Sequence, residues 1–423
     1  MPERTQTACC IAGGGPAGMM LGFLLARAGV EVVVLEKHAD FFRDFRGDTL
    51  HPSSLEVIHE LGLLEDFLRL PHTELREARG MIGEETLTLA DFSRLPVRCK
   101  FIAMIPQWNF LNFLAGHGKR YPGFHLRMQA EVTDLIREGE RFAGVRAMTP
   151  SGELEVRAQL VVGADGRHST VRERAGLEVL EFGVPIDVFW FRIAKSAGDP
   201  QQVLGYFRPG KTIRMLVMLD RGDYWQAGAV IPKGAGEQIH ARGLAAFREE
   251  IAHIVPFARA SLESLADWDE VKLLTVKVDR LREWHGPGLL CIGDAAHAMS
   301  PVGGIGINIA LQDAVAAANL LAEKLRAGSV GEDDLRAVQR RRERAVRMTQ
   351  AVQIFVQNRV FQSGAGGQGS GSVPLPMRLI RAFPFLRRLV ARFIGMGFQP
   401  EHVRTRELPA EYHNATPTSR PAR

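Results

Sequence analysis

Apolar positions near the start of the chain follow two different periods. Residues 8–12 form a short continuous apolar run and Val30 to Leu35 a Val-rich one broken only by Glu31, the pattern of strands buried on both faces. Between them, from about Ala17 to Ala28, apolar side chains recur at helical spacing until Gly29 stops the run. Strand, helix and strand in that order predict a parallel βαβ unit. FFRDFRGDTLHPSSLEVIHELGLLEDFL then reads as a loop and an amphipathic helix, with Ser53 as N-cap and Glu56 completing a capping box. Leu75 to Cys99 alternates in short pieces and predicts antiparallel strands. The chain returns through FIAMIPQWNFLNFLAGHGKRY, a strand-like lead into a helix with Gln107 at its start, and Phe124 to Gly163 predicts a strand meander ending in LVVGADG.

The texture changes over 178–284. VPIDVFWFRIA, QVLGYF, TIRMLVMLD and YWQAGAVIP read as strands of an antiparallel sheet. Alternation places Phe189, Phe191 and Ile193 on one face and Val188, Trp190 and Arg192 on the other, without saying which face lines a pocket. A buried strand at Leu289 to Ile292, a Gly-rich loop and a long Ala-rich helix from near Ile307 follow. A further helix reaches Phe361, and 363–376 reads as a Gly/Ser-rich linker. MRLIRAFPFLRRLVARFIGMGF sets an apolar stripe (Phe385, Leu386, Leu389, Val390, Phe393, Ile394) against arginines (Arg387, Arg388, Arg392). Such a helix packs on the protein's own surface or, as basic amphipathic helices do, on an anionic membrane through Arg378 to Arg392. The tail 409–423 reads as disordered.

Chemistry enters at the first strand-to-helix turn. Gly13, Gly15 and Gly18 supply G-x-G-x-x-G spacing, for a tight turn, a close approach of backbone to pyrophosphate, and close helix packing. Pro16 and Ala17 open the helix whose N–H groups and dipole face the phosphates. Glu36, eighteen residues after Gly18 and followed by Lys37, closes the second strand where an acid accepts a ribose hydroxyl. Gly364, Gly366 and Gly369 match the same expression, but no strand precedes them, and they read as linker.

Composition narrows the class. At 423 residues the chain can bury a large core and is expected to divide into two domains and a tail. The net charge of +5 is spread along the chain with one local excess near the C-terminus, which argues against nucleic acid. No uninterrupted apolar span and no signal-peptide pattern stand out, so a cytoplasmic protein is expected. Cys9, Cys10, Cys99 and Cys291 form no C-x-x-C pair and read as small buried side chains. No second ligand stands at metal spacing from His297, so no metal is expected.

Three motifs in order resemble the FAD-dependent group A monooxygenases, the aromatic-hydroxylase family with the p-hydroxybenzoate hydroxylase fold, over roughly Cys9 to Leu325. They are the glycine unit with Glu36; Asp165, Gly166, Ser169 and Arg172 in GADGRHSTVR; and Gly293, Asp294, Ala295, Ala296 and His297 with Pro301 and the stretch from Gly303 to Asn308. The resemblance implies an α/β fold. A Rossmann-like FAD-binding domain in three parts (1–74, 101–177, 285–362) would carry an inserted antiparallel-sheet substrate domain (75–100, 178–284) and a C-terminal helical segment (377–408). It also implies FAD contacts from Arg46 and Gln107, from Asp294 to the ribityl chain or its phosphate, and from Gly304, Gly306, Ile307 and Asn308 along the pyrimidine edge. NADH or NADPH would be a transient electron donor, and O2 would react to a C4a-hydroperoxyflavin that hydroxylates an aromatic or electron-rich hydrophobic small molecule.

Within that frame Asp48, Thr49, Phe191, Arg214 and Trp225 are substrate-pocket candidates, and His51 and Tyr206 are candidate proton acceptors for a phenolic substrate. Arg192 or Arg214, if turned inward, would clamp a carboxylate. Rival readings are a flavin-dependent reductase of a lipophilic substrate and a membrane-surface quinone hydroxylase. A flavin-dependent halogenase fits less well, because YWQAGAVIP lacks the paired tryptophans of that group.

Overall fold

The computed structural model describes residues 2–42, 48–82, 85–200, 205–207, 212–362 and 375–408. Arg46, nearly all of the glycine-rich stretch and the tail 409–423 lie outside the described residues. The two Val-rich runs become strands Glu3–Ala12 and Val32–Glu36, paired in parallel with Cys9 opposite Val32 and Ala12 opposite Leu35. The helix Pro16–Arg27 crosses between them. Gly152–Gly163 lies on the other side of the first strand, parallel to it. Its first half pairs antiparallel with Arg141–Thr149 and its second half runs parallel to Leu289–Cys291. One strand therefore carries two neighbours on the same edge.

Phe124–Met128 joins the outer edge beside Val32–Glu36. That corrects the expected meander: this strand is parallel, and only the three strands after it form antiparallel pairs. The strand centres are buried on both faces, which is why they read as unbroken apolar runs. The helix Gly306–Arg326 packs on Pro16–Arg27 and on Glu332–Gln362. The span Val302–Arg326 is long and apolar enough to cross a membrane, but 78% of its apolar window is buried inside the fold.

The second sheet has seven strands among the described residues. In order they are Lys272–Leu274, Ile186–Ala194, Tyr224–Pro232, Met215–Asp220, Gly205–Phe207, Glu77–Ile82 and Glu85–Asp91. One face is closed by the helix Leu244–Ile254 and the short turns after it. Phe189, Phe191, Ile193, Tyr206 and Trp225 cluster there with Phe247 and Ile251. The register (Trp190 opposite Gly228, Arg192 opposite Gln226) sends Trp190, Arg192 and Gln226 to the other face.

A small sheet of Thr49–Leu50, Ile102–Met104 and Thr73–Leu75 stitches the two halves. After it comes Pro52–Glu60, whose N-cap is His51. Ser53 is therefore not the cap: Pro52 takes the first helical position, and Glu56 accepts the Arg98 N–H instead.

The C-terminal helices are Leu375–Ala382 and Pro384–Met396. The second packs on the protein through its small residues, since Ala391 and Gly395 are buried and a Cβ at Gly395 would lie 2.8 Å from Leu95. The expected apolar stripe is thus split. Val390 and Ile394 pack near Phe92 and Leu95, while Phe385 and Leu389 are 57% and 56% exposed. Residues 397–408, expected to be helical, are a strap without regular secondary structure. Gly397 has φ +71 and ends the helix, and Pro400 cannot renew it.

Candidate active site

The turn after Glu3–Ala12 is built by close contacts. Gly13 has φ +106, and a Cβ there would lie 2.4 Å from the Ala164 carbonyl; one at Gly18 would lie 2.0 Å from the Gly13 carbonyl. At Gly15 a Cβ would meet nothing within 4 Å, so that backbone faces open space. The helix beside it has Pro16 in its first turn, no side-chain cap and no acid in that turn. An uncapped, positive helix start behind an open glycine suits a pyrophosphate. Glu36 is buried and shapes the loop, accepting the Gly14 N–H (2.9 Å) on one oxygen and the His38 N–H (3.1 Å) on the other. Lys37 is exposed.

A second cradle forms where two distant segments meet. Thr49 Oγ1 and Asn308 Nδ2 both donate to the Gly304 carbonyl, at 3.0 and 3.3 Å. Asn308 Oδ1 accepts the His51 N–H (2.8 Å) and the Ser54 hydroxyl (2.6 Å). Because a trans peptide directs C=O and N–H oppositely, this clamp turns the Ile305 N–H away from Thr49. Gly303 and Gly304 have φ +81 and +64, and Gly306–Arg326 begins just after them with no side-chain cap or acidic residue in its first turn. Gly306 and Ile307 are half-buried there, and Pro301 opens the turn. Thr49 and Asn308 are therefore positioning residues for the loop that would follow the flavin edge.

His51 is wholly buried. Its Nδ1 lies 2.7 Å from the Ile394 carbonyl, which makes it the protonated nitrogen and leaves Nε2 a buried acceptor without a hydrogen-bond partner. Burial pulls its pKa down to about 4, so it stays neutral at physiological pH.

Ser169 caps the helix Thr170–Ala175, its Oγ accepting the Arg172 N–H (3.0 Å), and Asp165 braces that cap by accepting the Ser169 hydroxyl and the Val171 N–H (3.1 Å); burial raises its carboxyl against these bonds. Gly166 follows at φ +86. Arg172 reaches the Arg167 carbonyl and pairs with Asp279 at 3.5 Å, tying this turn to the substrate domain. Asp294, half-buried, stands 3.6 Å from Arg167 at the mouth of the site. His297 behind it is structural: its Nε2 is 2.6 Å from Asp313, which also holds Arg342 and the Gly293 N–H.

Asp48 joins the cradle to the substrate sheet. It accepts the Gln107 N–H (3.2 Å) on one oxygen and Arg221 Nη2 on the other, and Arg221 Nε donates to Gln226 at 3.0 Å. Burial raises the Asp48 carboxyl, opposed by Arg221 and Arg192. The sheet face that carries Gln226 and Arg192 is thereby the one turned to the nucleotide-binding half.

Three sequence candidates lie on the sheet face away from Asp48. Phe191 packs against Phe247, Tyr206 and Trp225 lie against Phe257, and Trp225 donates to Asp199. Alternation forces this, because their apolar side chains fill the core beneath the helix Leu244–Ile254. Arg214 stands at the opposite end of its strand from Asp220, about 20 Å away by strand rise, and is not brought to Asp48. Arg221 and Gln226 were missed in the sequence. Arg221 sits in a DRGD hairpin that reads as a solvated turn, and only pairing with a residue 173 positions away shows its role.

Residues 6–352 match the FAD binding domain family. The chain belongs to that family. It is 34% identical over 410 residues to 6-methylpretetramide 4-monooxygenase of Streptomyces rimosus, covering 95% of each chain. It is 29% identical over 309 residues to rifampicin monooxygenase of Streptomyces venezuelae, where the match covers 72% of this chain and 61% of the relative's length. The solved structure of p-nitrophenol 4-monooxygenase PnpA from Pseudomonas putida DLL-E4 superposes with a TM-score of 0.74 at 19% identity, covering 93% of this chain and 99% of that one, a likeness of fold. With its family the chain is an FAD-dependent monooxygenase, and both glycine cradles fit that cofactor.

Proposed function

We propose that the enzyme hydroxylates an aromatic ring of an extended, phenol-like hydrophobic small molecule, consuming NADH or NADPH and O2 and releasing the oxidised nicotinamide and water. The carrying observation is the sheet face turned to Asp48. Trp190, Met215, Val217, Leu219 and Phe207 are half-buried there, an apolar wall beside one polar corner of Asp48, Arg221, Arg192 and Gln226. The 34% relative of matching length, named for oxidation of 6-methylpretetramide, supports the same class. When bound, FAD supplies the electron transfer and oxygen activation.

The chain's own part is binding and orientation. The loop from Gly13 to Gly18 takes the pyrophosphate, and the Gly304 turn, clamped by Thr49 and Asn308, takes the ring edge. The apolar wall keeps water from the reacting atoms. At the polar corner Arg221 Nε and Nη2 are already engaged, and Nη1 is a buried donor without a hydrogen-bond partner. A single substrate oxygen suits that remaining nitrogen better than a carboxylate, which needs two. His51, neutral, serves as a hydrogen-bond acceptor through Nε2. Asp294 and Gln107 flank the FAD. The enzyme works in the cytoplasm or at a membrane surface approached from it.

Purified yellow protein with a panel of phenols, quinolones and quinones tests this reading. Substrate-stimulated NAD(P)H oxidation with oxygen uptake and a product heavier by one oxygen atom is expected. Steady oxygen-independent reduction of an acceptor would replace it with the reductase reading.

A further inference from the structure

The C-terminal helices carry a feature that flavin chemistry does not use. From Leu375 to Met396 there are five arginines and no acidic residue or lysine. The whole chain has 53 basic against 48 acidic side chains, so this one segment holds a charge equal to the entire net +5 and the remainder balances.

The charge is interleaved with uncovered apolar surface. Ala391 and Gly395 face the protein, which turns Phe385 and Leu389 outward; Leu379 and Phe383 are also exposed, at 42% and 48%. Arg378, Arg388 and Arg392 are exposed beside them and make no ion pair among the described residues. Two other arginines brace the pair of helices. Arg381 bonds Glu85 at 2.6 Å on the edge strand of the substrate sheet, and Arg387 donates to the carbonyls of Ile380 and Arg381. An outward apolar ridge flanked by long cationic side chains, with no acid of its own and the neighbouring Glu85 paired to Arg381, matches a helix lying in the plane of an anionic bilayer surface.

We propose that Leu375–Ala382 and Pro384–Met396 form a docking surface for an anionic lipid bilayer, into which Leu379, Phe383, Phe385 and Leu389 insert while Arg378, Arg388 and Arg392 meet the headgroups. The surface is continuous with the site, because Pro384–Met396 packs on Glu85–Asp91 and supplies the Ile394 carbonyl that holds His51. Docking therefore sets the edge of the substrate sheet against the lipid. This adds a source to the function proposed above, a lipophilic aromatic substrate drawn from the bilayer.

The test is co-sedimentation of the full-length, FAD-loaded protein with vesicles of phosphatidylcholine alone or with 30% phosphatidylglycerol, at low and high salt and without substrate or nicotinamide. Binding only to the anionic vesicles, weakened strongly by salt, is expected. Arg388→Gln with Arg392→Gln should weaken it by roughly 25-fold, about fivefold for each arginine. Phe385→Ser with Leu389→Ser should abolish it while FAD content and thermal midpoint stay unchanged, because both side chains are outward. No sedimentation at low salt overturns the proposal, as does binding that survives the serine pair. A wild-type dimer that the serine pair turns into monomer assigns the ridge to a second copy and also overturns it. Vesicle binding without hydroxylation would leave the surface standing and remove the reaction; hydroxylation without vesicle binding would do the reverse.

Discussion

At the scale of single residues, the first glycine turn leaves no room for added atoms at Gly13 or Gly18, and one histidine is wholly buried beside the second. A methyl at Gly18 would collide with the Gly13 carbonyl inside the turn. Gly18→Ala should therefore yield protein with little or no flavin absorbance near 450 nm, while Gly116→Ala, on the exposed side of the helix Gln107–Gly118 with nothing within 4 Å, should keep its FAD. His51 supplies a pH signature. Burial lowers its pKa to about 4, opposed by its bond to Ile394, whereas the unfolded chain protonates it near the ordinary value of about 6.5. Its contribution to stability is complete above pH 6.5 and is lost as pH falls from there toward 4, a change of roughly 3 kcal/mol. Urea midpoints should drop across that window, and His51→Gln should flatten the drop in part. His117 and His285, also lowered by burial, keep the rest.

At the scale of elements, each helix contributes one face and one end. Gly306–Arg326 begins at the Gly304 turn, and its first turn is fixed by Asn308 bonding back to the segment from Thr49 to Ser54. Asn308→Ala would leave the His51 N–H and the Ser54 hydroxyl without an acceptor, a cost of about 2–4 kcal/mol. FAD should be released at lower urea in this variant, as read by flavin fluorescence. Pro384–Met396 offers its small-residue face to the fold. Ala391→Asp would bury a charge against Phe92 and Leu95 and should lower the thermal midpoint by several degrees. The capping box expected at Ser53 failed at this scale, since Pro52 fits the first helical turn and moves the cap to His51, two residues earlier than Ser53.

At the scale of the molecule, a buried chain of charges closes the structure over its own C-terminal strap. Asp313 stands between His297 and Arg342, and Arg342 in turn reaches Glu401 at 3.4 Å and the Gln399 carbonyl. Burial alone would raise the Asp313 carboxyl, but His297 and Arg342 outweigh it and hold the carboxyl low. Arg342→Met should destabilise by about 3–5 kcal/mol, because Asp313 and Glu401 would be left buried and underpaired. Chemical denaturation of the FAD-loaded protein measures this.

Local pattern by itself determined the βαβ unit, its glycine turn and the strands of the substrate sheet, because period, glycine spacing and apolar runs are properties of neighbouring residues; a flavin role for the Gly304 to Asn308 loop was implied only by the family resemblance. The glycine unit was legible down to Gly13, Gly18 and Glu36. The faces of the sheet were legible only as a pair of alternatives: alternation separates Phe191 and Trp225 from Arg192 and Gln226, but what covers each face is contributed by Leu244–Ile254 and by Asp48, far away in the chain. That is why alternation does not reveal that Tyr206, Trp225 and Phe191 pack beneath Leu244–Ile254 on the face away from Asp48. Arg221 was invisible for the same reason, since its partner is 173 residues distant. Tertiary structure alone decided which arginine is buried, which nitrogen of His51 is protonated, and which side of the C-terminal helix faces outward. Each of those depends on a contact between segments that no local pattern encodes.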